Sequence, residues 1–301
     1  MNKATEHSSL VSISYLLIGF LSLLIAFPLF ILIHKQFPDY EWPFHTDRIL
    51  MFLVILVFAL LMLQLFRPVI FLCLIAAVAG LSFGSFTGNY GFENLFTDYK
   101  AMMYTFKYQP YNDEFSETGG KIFFYKKEIL EAIDDNSSTV RAFAVKATTS
   151  YFRREQSKYE GYRTLIQSFA VFKRINKNWN YVSDPVNSEY FAKASESAKL
   201  LAGDCDDYAI MMAASIKSIG GDVRLVSTTG HLYPEIMVGN KSHLEFMNYL
   251  IKKILFPIES AGQVLHYHKD ELGRIWLNLD YTAAYPGGKF LAEPILGILN
   301  P

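Results

Sequence analysis

A cysteine lies where two structural signals meet, at the start of a predicted helix. Gly203 favours a tight turn, Asp204 is a good helix cap, and apolar residues recur at helical spacing after Cys205. In the first turn of a helix, unpaired backbone N–H groups and the helix dipole stabilise a thiolate and lower the pKa of a thiol. The carboxylates of Asp204, Asp206 and Asp207 oppose this effect, so a cation is needed nearby to hold the thiolate. A small buried cysteine without a chemical role is the alternative.

A histidine and an aspartate later in the chain would complete a nucleophilic site. His231 follows Gly230 and begins a predicted strand that runs to Gly239, after a predicted strand at 222–227. Asp280 ends a further predicted strand. A cysteine on a helix, with a histidine and an aspartate on neighbouring strands, is the arrangement of nucleophile, base and orienting carboxylate. Taken singly, His231 would be a surface or packing histidine, and Asp280 an ordinary strand-end carboxylate.

Four motifs that contain these residues occur in a fixed order. They are Trp179-Asn-Tyr-Val-Ser-Asp184-Pro185, Gly203-Asp-Cys-Asp-Asp-Tyr-Ala209, His231-x-Tyr-x-Glu235 and Leu279-Asp280-x-Thr282. Together they resemble the transglutaminase-like superfamily, and more narrowly its membrane-associated bacterial and archaeal members, over about residues 170–290. The resemblance implies a papain-like α+β core, a helical lobe with an antiparallel sheet, in which Cys205, His231 and Asp280 form a triad. It also implies an aromatic residue that borders the cleft and helps to stabilise an oxyanion. Trp179 has the position for this role, and a core aromatic is the alternative.

The implied chemistry is attack on an amide or ester carbon through a thioester intermediate. The Cys205 thiolate attacks, its own backbone N–H stabilises the oxyanion, and His231 protonates the leaving amine while Asp280 orients the ring. Water or an amine then completes the turnover, and we expect hydrolysis of a peptide or isopeptide bond. Asp207 and Glu235 are further candidates for the cleft, Glu235 because strand alternation places it on the same face as His231. Structural support is the alternative role for both.

Composition limits the classes of partner. Of the 301 residues, 51% are hydrophobic and 19% are charged, and the net charge of −1 gives no reason to expect nucleic acid as a partner.

No cofactor or metal is predicted, because His266 and His268 lack a third ligand and fit a hairpin strand better. The chain has two cysteines, and Cys73 falls in an apolar segment, so a disulfide with Cys205 is implausible.

The N-terminal third of the sequence predicts a membrane anchor. Three uncharged apolar runs, at about 10–33, 49–66 and 69–86, are each long enough for a transmembrane helix. Buried helices of a soluble protein are the alternative. An odd number of spans with the N-terminus inside would put the C-terminal domain outside the cytoplasm, and an analogy with membrane-tethered relatives favours that side. We therefore expect an integral protein of a prokaryotic inner membrane.

The rest of the chain divides into a linker and one domain. Residues 87–120 are predicted to be a juxtamembrane linker, and 121–301 the transglutaminase-like domain. Within the domain we expect a short helix from Ala194 to Leu201, stopped by Gly203, and either a helix or a strand at 164–175. An insertion at 240–274 contains an amphipathic helix, which would be a lid, a membrane-docking element or plain core packing.

Two other functions fit the same sequence. One is a non-catalytic binding or assembly module on a membrane anchor. The other is a membrane protein whose cysteine domain processes a membrane protein partner. If the chain is an enzyme, acting on its own or on a membrane partner, the expected partners are a peptide or protein substrate and the lipid bilayer.

Overall fold

The computed structural model describes residues 3–34, 36–37, 42–65, 67–113, 123–184, 190–291 and 293–301, so Pro185 of the first motif lies outside the described residues. The chain forms two compact units, Met1–Met103 and Tyr104–Pro301. Helices and a mixed sheet make the described chain an α+β protein, as the sequence predicts.

The first unit is helical where it is described. Its helices are α1 (Lys3–His34), α2 (Thr46–Leu65), α3 (Arg67–Thr87) and the greater part of α4 (Phe92–Lys107), with a short 3-10 turn at Pro43–His45. A small apolar core joins α1, α2 and α4 through Phe30, Ile55 and Met102. The three predicted apolar segments thus all form helices, with bounds a few residues from those expected.

The number of membrane spans differs from the prediction of three. Among the described residues, one helix, Thr46–Leu65, is long and apolar enough to cross a membrane. A second span is counted only if Leu72–Thr87 and Phe92–Lys107 are taken as one broken helix, although they meet at 101°. The apolar stretch Ile18–His34 is too short to count as a span by this criterion. A core helix of a soluble protein or a signal sequence can also meet the criterion, so one or two such helices are weak evidence for a membrane protein. Three spans are therefore not supported.

The second unit contains a helical layer and a sheet. Its helices are α5 (Lys126–Ala132), α6 (Ser138–Ser150), α7 (Arg153–Lys158), α8 (Arg163–Asn178), α9 (Ala194–Leu200), α10 (Cys205–Ser218) and α11 (Lys241–Leu250), with a 3-10 turn at Glu160–Tyr162 and a π-helical turn at Ile251–Leu255. Its strands are β1 (Tyr111–Asn112), β2 (Asn180–Tyr181), β3 (Ala202–Gly203), β4 (Val223–Thr228), β5 (His231–Gly239), β6 (His266–Lys269), β7 (Ile275–Asn278) and β8 (Ile295–Leu299).

Six strands form one sheet in the order β1-β6-β7-β5-β4-β8. Only the β1–β6 pair is parallel; the other neighbours are antiparallel. The strands β2 and β3 form a separate parallel pair, in which Tyr181 lies opposite Gly203. This short pair brings the first motif next to the residues that precede Cys205.

Helix α10 is the centre of the unit. Every residue from Asp206 to Ile216 is buried, because the helix packs against α6, α8 and α9 on one side and β4 and β5 on the other. A helix that is apolar nearly all round is stable only when it is covered in this way. The central position fixes α10 against β5, the strand that carries His231.

The end of α9 lies within one residue of its predicted position, since the helix runs from Ala194 to Leu200. The residue that stops the helix differs from the prediction: Leu201 adopts the left-handed conformation (φ 52°), and Gly203 belongs to β3. The stretch 164–175, which periodicity leaves undecided, is the helix α8. In the predicted insertion, α11 buries Leu244, Phe246 and Met247 and packs against β5, so core packing is the outcome of the three alternatives.

The predicted linker at 87–120 holds regular structure. Helix α4 occupies much of it, and the boundary between the two units falls within α4, between Met103 and Tyr104. Strand β1 adds to the sheet beside β6.

Candidate active site

The candidate nucleophile begins helix α10. The Asp204 side chain caps this helix by accepting hydrogen bonds from the backbone N–H groups of Asp206 and Asp207. Gly203 has a φ of 149°, which a residue with a Cβ adopts only with strain. Cys205 is half-buried and is a free thiol, as is Cys73. The cap predicted from the sequence is therefore present, and it fixes Cys205 in the first turn.

His231 and Asp280 are in direct contact. The Nε2 atom of His231 lies 2.9 Å from Oδ2 of Asp280, and both side chains are buried. The same carboxylate oxygen accepts a hydrogen bond of 2.7 Å from the Thr282 hydroxyl, and the backbone N–H of Asp280 donates to Asn278. His231 also forms a hydrogen bond with Cys205, and since Nε2 is engaged by Asp280, Nδ1 is the ring nitrogen left for that bond.

Burial lowers the pKa of His231, but its hydrogen bonds with Asp280 and Cys205 and the negative charge of those two groups outweigh it and raise the pKa to about 10. His231 is thus an imidazolium at neutral pH. This is the nearby cation that the sequence requires to balance the three carboxylates around Cys205. The structure brings Cys205, His231 and Asp280 together, and their catalytic role remains a prediction.

The carboxylates near Cys205 differ in environment. Burial, a hydrogen bond with Asp204 and repulsion from neighbouring negative charges raise the pKa of Asp206 to about 9, so this carboxyl is neutral at pH 7. Burial also raises the pKa of Asp207, to about 6, although the N–H of Ala192 donates a 2.8 Å hydrogen bond to it. The negative charge around the thiol is therefore smaller than the sequence suggests.

Possible ligands for a cation occur at one point among the described residues. Ligand atoms of Asp204, Cys205 and Asp206 lie within 4.8 Å of one another. Asp204 is already engaged as the cap of α10, and one Asp206 oxygen accepts the backbone N–H of Asp207. His266 and His268, considered above as ligands, each face a carboxylate instead: Asp113 at 2.7 Å and Glu235 at 2.5 Å.

A cavity of about 490 Å³ opens beside the nucleophile. Its polar side consists of Asp204, Cys205, Asp206 and His231 with the β4–β5 turn. Its other side is apolar and largely aromatic, formed by Phe123, Phe124, Tyr125, Ile129, Tyr181, Phe191, Leu232 and Leu296. This combination of an apolar enclosure with a few polar groups is typical of a small-molecule or peptide site.

Tyr181 and Tyr281 are site residues that sequence reasoning missed. Their rings stack at 5.2 Å, and the Tyr281 ring lies 5.8 Å from that of His231. Burial, with repulsion from Tyr181, raises the pKa of Tyr281 to about 12. Tyr181 reaches the cavity because β2 pairs with β3, a contact that no local pattern in the sequence reveals.

Trp179 does not line the cavity. Its ring packs edge-on against Tyr208 at 5.3 Å, and Tyr208 in turn contacts Tyr281. Among the described ring contacts, Trp179 reaches His231 through Tyr208 and Tyr281, and Tyr181 rather than Trp179 lines the cavity. Packing against the buried Tyr208 explains the difference.

Asp207 and Glu235 also lie outside the cavity lining. The Asp207 side chain packs against Gly203 and accepts a hydrogen bond from the backbone N–H of Ala192. Glu235 is fully buried between Arg224, whose Nε lies 2.6 Å from Oε2, and His268. Burial alone would raise the pKa of Glu235, but the hydrogen bond from His268 and the charge of Arg224 hold it below its usual value. These contacts favour the supporting role that the sequence left as the alternative for both carboxylates.

Comparison of the chain with protein-family models, with curated proteins and with solved structures finds no match. The resemblance to the transglutaminase-like superfamily therefore stays a prediction from four motifs. The geometry of the site carries the functional argument.

Proposed function

We propose that this chain is a cysteine hydrolase of the transglutaminase-like type that cleaves amide bonds in a peptide or protein. The observation that carries the proposal is the convergence of Cys205, His231 and Asp280 at one cavity, with His231 held as an imidazolium between the other two. A papain-like core is favoured by the order of the elements, since the cysteine helix α10 packs against β5, which begins with His231, and β5 pairs with β7, which leads to Asp280.

The proposed reaction proceeds in two steps. The Cys205 thiolate attacks the carbonyl carbon, and the C–N bond breaks as the His231 imidazolium gives its proton to the leaving amine. Water then attacks the thioester, His231 takes a proton from it, and the C–S bond breaks to release the acid and the thiolate. Throughout, Asp280 holds the ring with Nδ1 towards the sulfur and stabilises its positive charge.

Alkylation of Cys205 by iodoacetamide tests the central ion pair. The experiment uses the full chain in detergent with Cys73→Ser, so that Cys205 is the only thiol. We expect alkylation at pH 6 to be at least about 10-fold faster than in the denatured chain, because only the thiolate reacts. His231→Gln should remove that advantage and Asp280→Asn should reduce it. A Cys205 thiol that reacts equally fast with and without His231 would contradict the enzyme and favour a binding module.

We further propose that the first unit anchors the chain in a membrane, with the second unit outside the cytoplasm. Helix α2 supports an anchor by its length and composition, and large apolar side chains are exposed along it, among them Val54, Phe58 and Leu61. Carbonate-resistant sedimentation with membranes is the expected result. In the Cys73→Ser variant, a membrane-impermeant maleimide should label Cys205 in spheroplasts before lysis. Labelling only after lysis would place the second unit inside.

A further inference from the structure

The cavity beside Cys205 has an apolar wall that the catalytic arrangement does not use. Three parts of the chain contribute to this wall: the stretch before and within α5, the segment that contains Phe191, and strand β8 through Leu296. The proposed triad needs none of these side chains to hold its geometry. Their presence beside the nucleophile therefore calls for a separate explanation.

The wall is aromatic and accessible. Phe124 is 58% exposed and Tyr125 is 56% exposed, and the Tyr125 ring lies 5.4 Å from that of Phe191. Aromatic rings left this exposed next to a site are typical of surfaces that bind an apolar partner. Tyr181, which is 50% exposed, extends the same surface towards Cys205.

The charges at the cavity select against one class of ligand. Asp204 and Asp206 border it on the side of the nucleophile, and among the described lining residues His231 is the single basic group. That imidazolium already faces Asp280 and Cys205. An acidic side chain entering the cavity would meet Asp204 without a cation to balance it, which is unfavourable at close range.

We infer that the cavity binds a bulky apolar side chain on the acyl side of the scissile bond, preferably an aromatic one, and disfavours acidic side chains. This inference rests on the proposed function, because it takes Cys205 as the attacking group. Offset or edge-on contacts with Phe124, Tyr125 and Phe191 would bind an aromatic ring, and removal of the ring from water adds to the binding.

Alkylating labels with different side chains test the inference. The full chain with Cys73→Ser, in detergent, reacts with three amino-acid chloromethyl ketones that carry a benzyl, a methyl or a carboxymethyl side chain. In each reaction the Cys205 thiolate forms a C–S bond, and chloride leaves with the electrons of the C–Cl bond. Each rate is divided by the rate with iodoacetamide, which has no side chain. We expect the benzyl label to react roughly 10-fold or more faster than the methyl label on this scale, and the carboxymethyl label slowest.

Variants of the wall make the test specific. Phe124→Ala and Phe191→Ala should each lower the ratio of benzyl to methyl rates. Because the Phe124 side chain is 58% exposed, we expect its replacement to change the stability little. Tyr190→Ala is the matched control, since Tyr190 is 53% exposed and adjacent to Phe191 but does not line the cavity, and it should leave the ratio unchanged.

The two proposals fail separately. Equal normalised rates for the three labels, with an iodoacetamide rate that still depends on His231, would overturn the inference and leave the hydrolase proposal standing. A benzyl preference that survives both Phe124→Ala and Phe191→Ala would also overturn it. An iodoacetamide rate that is indifferent to His231→Gln would refute the hydrolase itself.

Discussion

His231 carries a positive charge in a place where burial opposes it. The charge persists because Asp280 accepts from one ring nitrogen and Cys205 lies at the other side. The same balance makes the residue a source of stability that depends on pH. Its pKa rises from 6.5 to about 10 on folding, so the folded state binds the proton more tightly than the unfolded state between those values.

The pH dependence of stability should therefore reveal His231. The stabilisation is complete below pH 6.5 and is lost as the pH rises through 10. We expect the difference in Tm between the wild type and His231→Gln to be largest near pH 6 and to shrink steadily towards pH 10. Thermal unfolding at pH 6, 8 and 10 measures it. A difference that stays constant over this range would mean that the histidine is neutral in the folded protein.

Asp206 also makes the folded state less stable as the pH rises, but for a different reason. Its pKa rises from 3.8 to about 9 on folding, mainly because it is buried beside Asp204. Between these pH values the folded chain keeps a proton that the unfolded chain releases, so stability falls as the pH rises.

Asp206→Asn should remove this loss of stability at high pH, because an amide cannot ionise and can still donate a hydrogen bond to Asp204. We expect the variant to have a higher Tm than the wild type at pH 8, and the gain to vanish near pH 4. Thermal scans from pH 4 to 9 test it. Glu131→Gln, at an exposed ion pair with Lys127, is the control and should show no such trend. A variant that is less stable at every pH would refute the burial of a neutral carboxyl.

Single residues of the site were predictable where a motif carried them. The motifs named Cys205, His231 and Asp280, and the structure brings these three together. Tyr181 and Phe124 were missed because they reach the cavity through strand pairing and packing between distant segments. Those contacts are set by the fold as a whole, and a linear pattern does not encode them.

At the scale of elements, the start of α10 depends on Gly203. A Cβ at this position would lie 2.3 Å from Oδ2 of Asp207, and the φ of 149° is itself strained for any other residue. Asp207 cannot move away without releasing the backbone of Ala192. The turn before Cys205 therefore has room only for glycine.

Gly203→Ala should destabilise the protein by about 1–3 kcal/mol, the typical effect of a strained backbone. We expect slower alkylation of Cys205 as well, because the first turn of α10 would shift. Gly161→Ala is the matched control: nothing lies within 4 Å of its added Cβ, and it should be nearly neutral. Urea unfolding of both variants measures the effect. Equal stabilities for the two would show that the turn is more tolerant than its geometry indicates.

A buried ionic group joins three strands. The buried side chain of Glu235 on β5 contacts both Arg224 on β4 and His268 on β6. The Arg224 guanidinium also lies 4.3 Å from the centroid of the Trp276 ring. Removal of the Glu235 carboxylate would take away the anion that lies 2.6 Å from the buried Arg224 guanidinium, and loss of one partner of a buried ion pair is strongly unfavourable.

Glu235→Gln should therefore lower the free energy of unfolding by about 3–5 kcal/mol. The iodoacetamide rate of the fraction that remains folded should still depend on His231, because Glu235 does not line the cavity. Denaturant unfolding and alkylation report the two effects. Glu131→Gln, whose side chain is 68% exposed, should change the stability little. A stability like that of the wild type would mean that the buried group is neutral overall.

Most elements of the second unit follow from local periodicity. The strands β4, β5 and β7 and the helix α10 were predicted to within a few residues, since each has a clear apolar pattern. The sequence did not predict β1 or α4. Strand β1 has two residues, too few for any pattern, and it exists because β6 has an open edge beside it.

At the scale of the whole molecule, the position of the boundary between the units has a practical consequence. The sequence suggested a domain that begins at 121, whereas the second unit begins at Tyr104. The buried side chain of Asn248 donates to the Tyr108 carbonyl at 2.7 Å and to the Thr105 hydroxyl at 3.2 Å. The described segment 104–113 is therefore part of the folded unit.

A fragment of residues 104–301 should unfold cooperatively, whereas a fragment of residues 121–301 should have a lower Tm. The shorter fragment lacks β1 and leaves the amide of Asn248 buried without these partners. Circular dichroism during heating compares the two. Equal Tm values would mean that the segment 104–113 adds nothing to the stability of the unit.

The order of strands in the sheet also governs how fast the protein can fold. The β4–β5 hairpin joins Thr228 to His231, but β4 pairs Leu225 with Leu299, and β1 pairs Tyr111 with His266. Closing such long loops loses chain entropy before the contacts repay it, so sheets with distant partners fold slowly. The hairpin that carries His231 can form early, whereas Asp280 and the cavity wall must wait for the rest of the sheet. During refolding, the reactive thiol should therefore return more slowly than the hairpin forms.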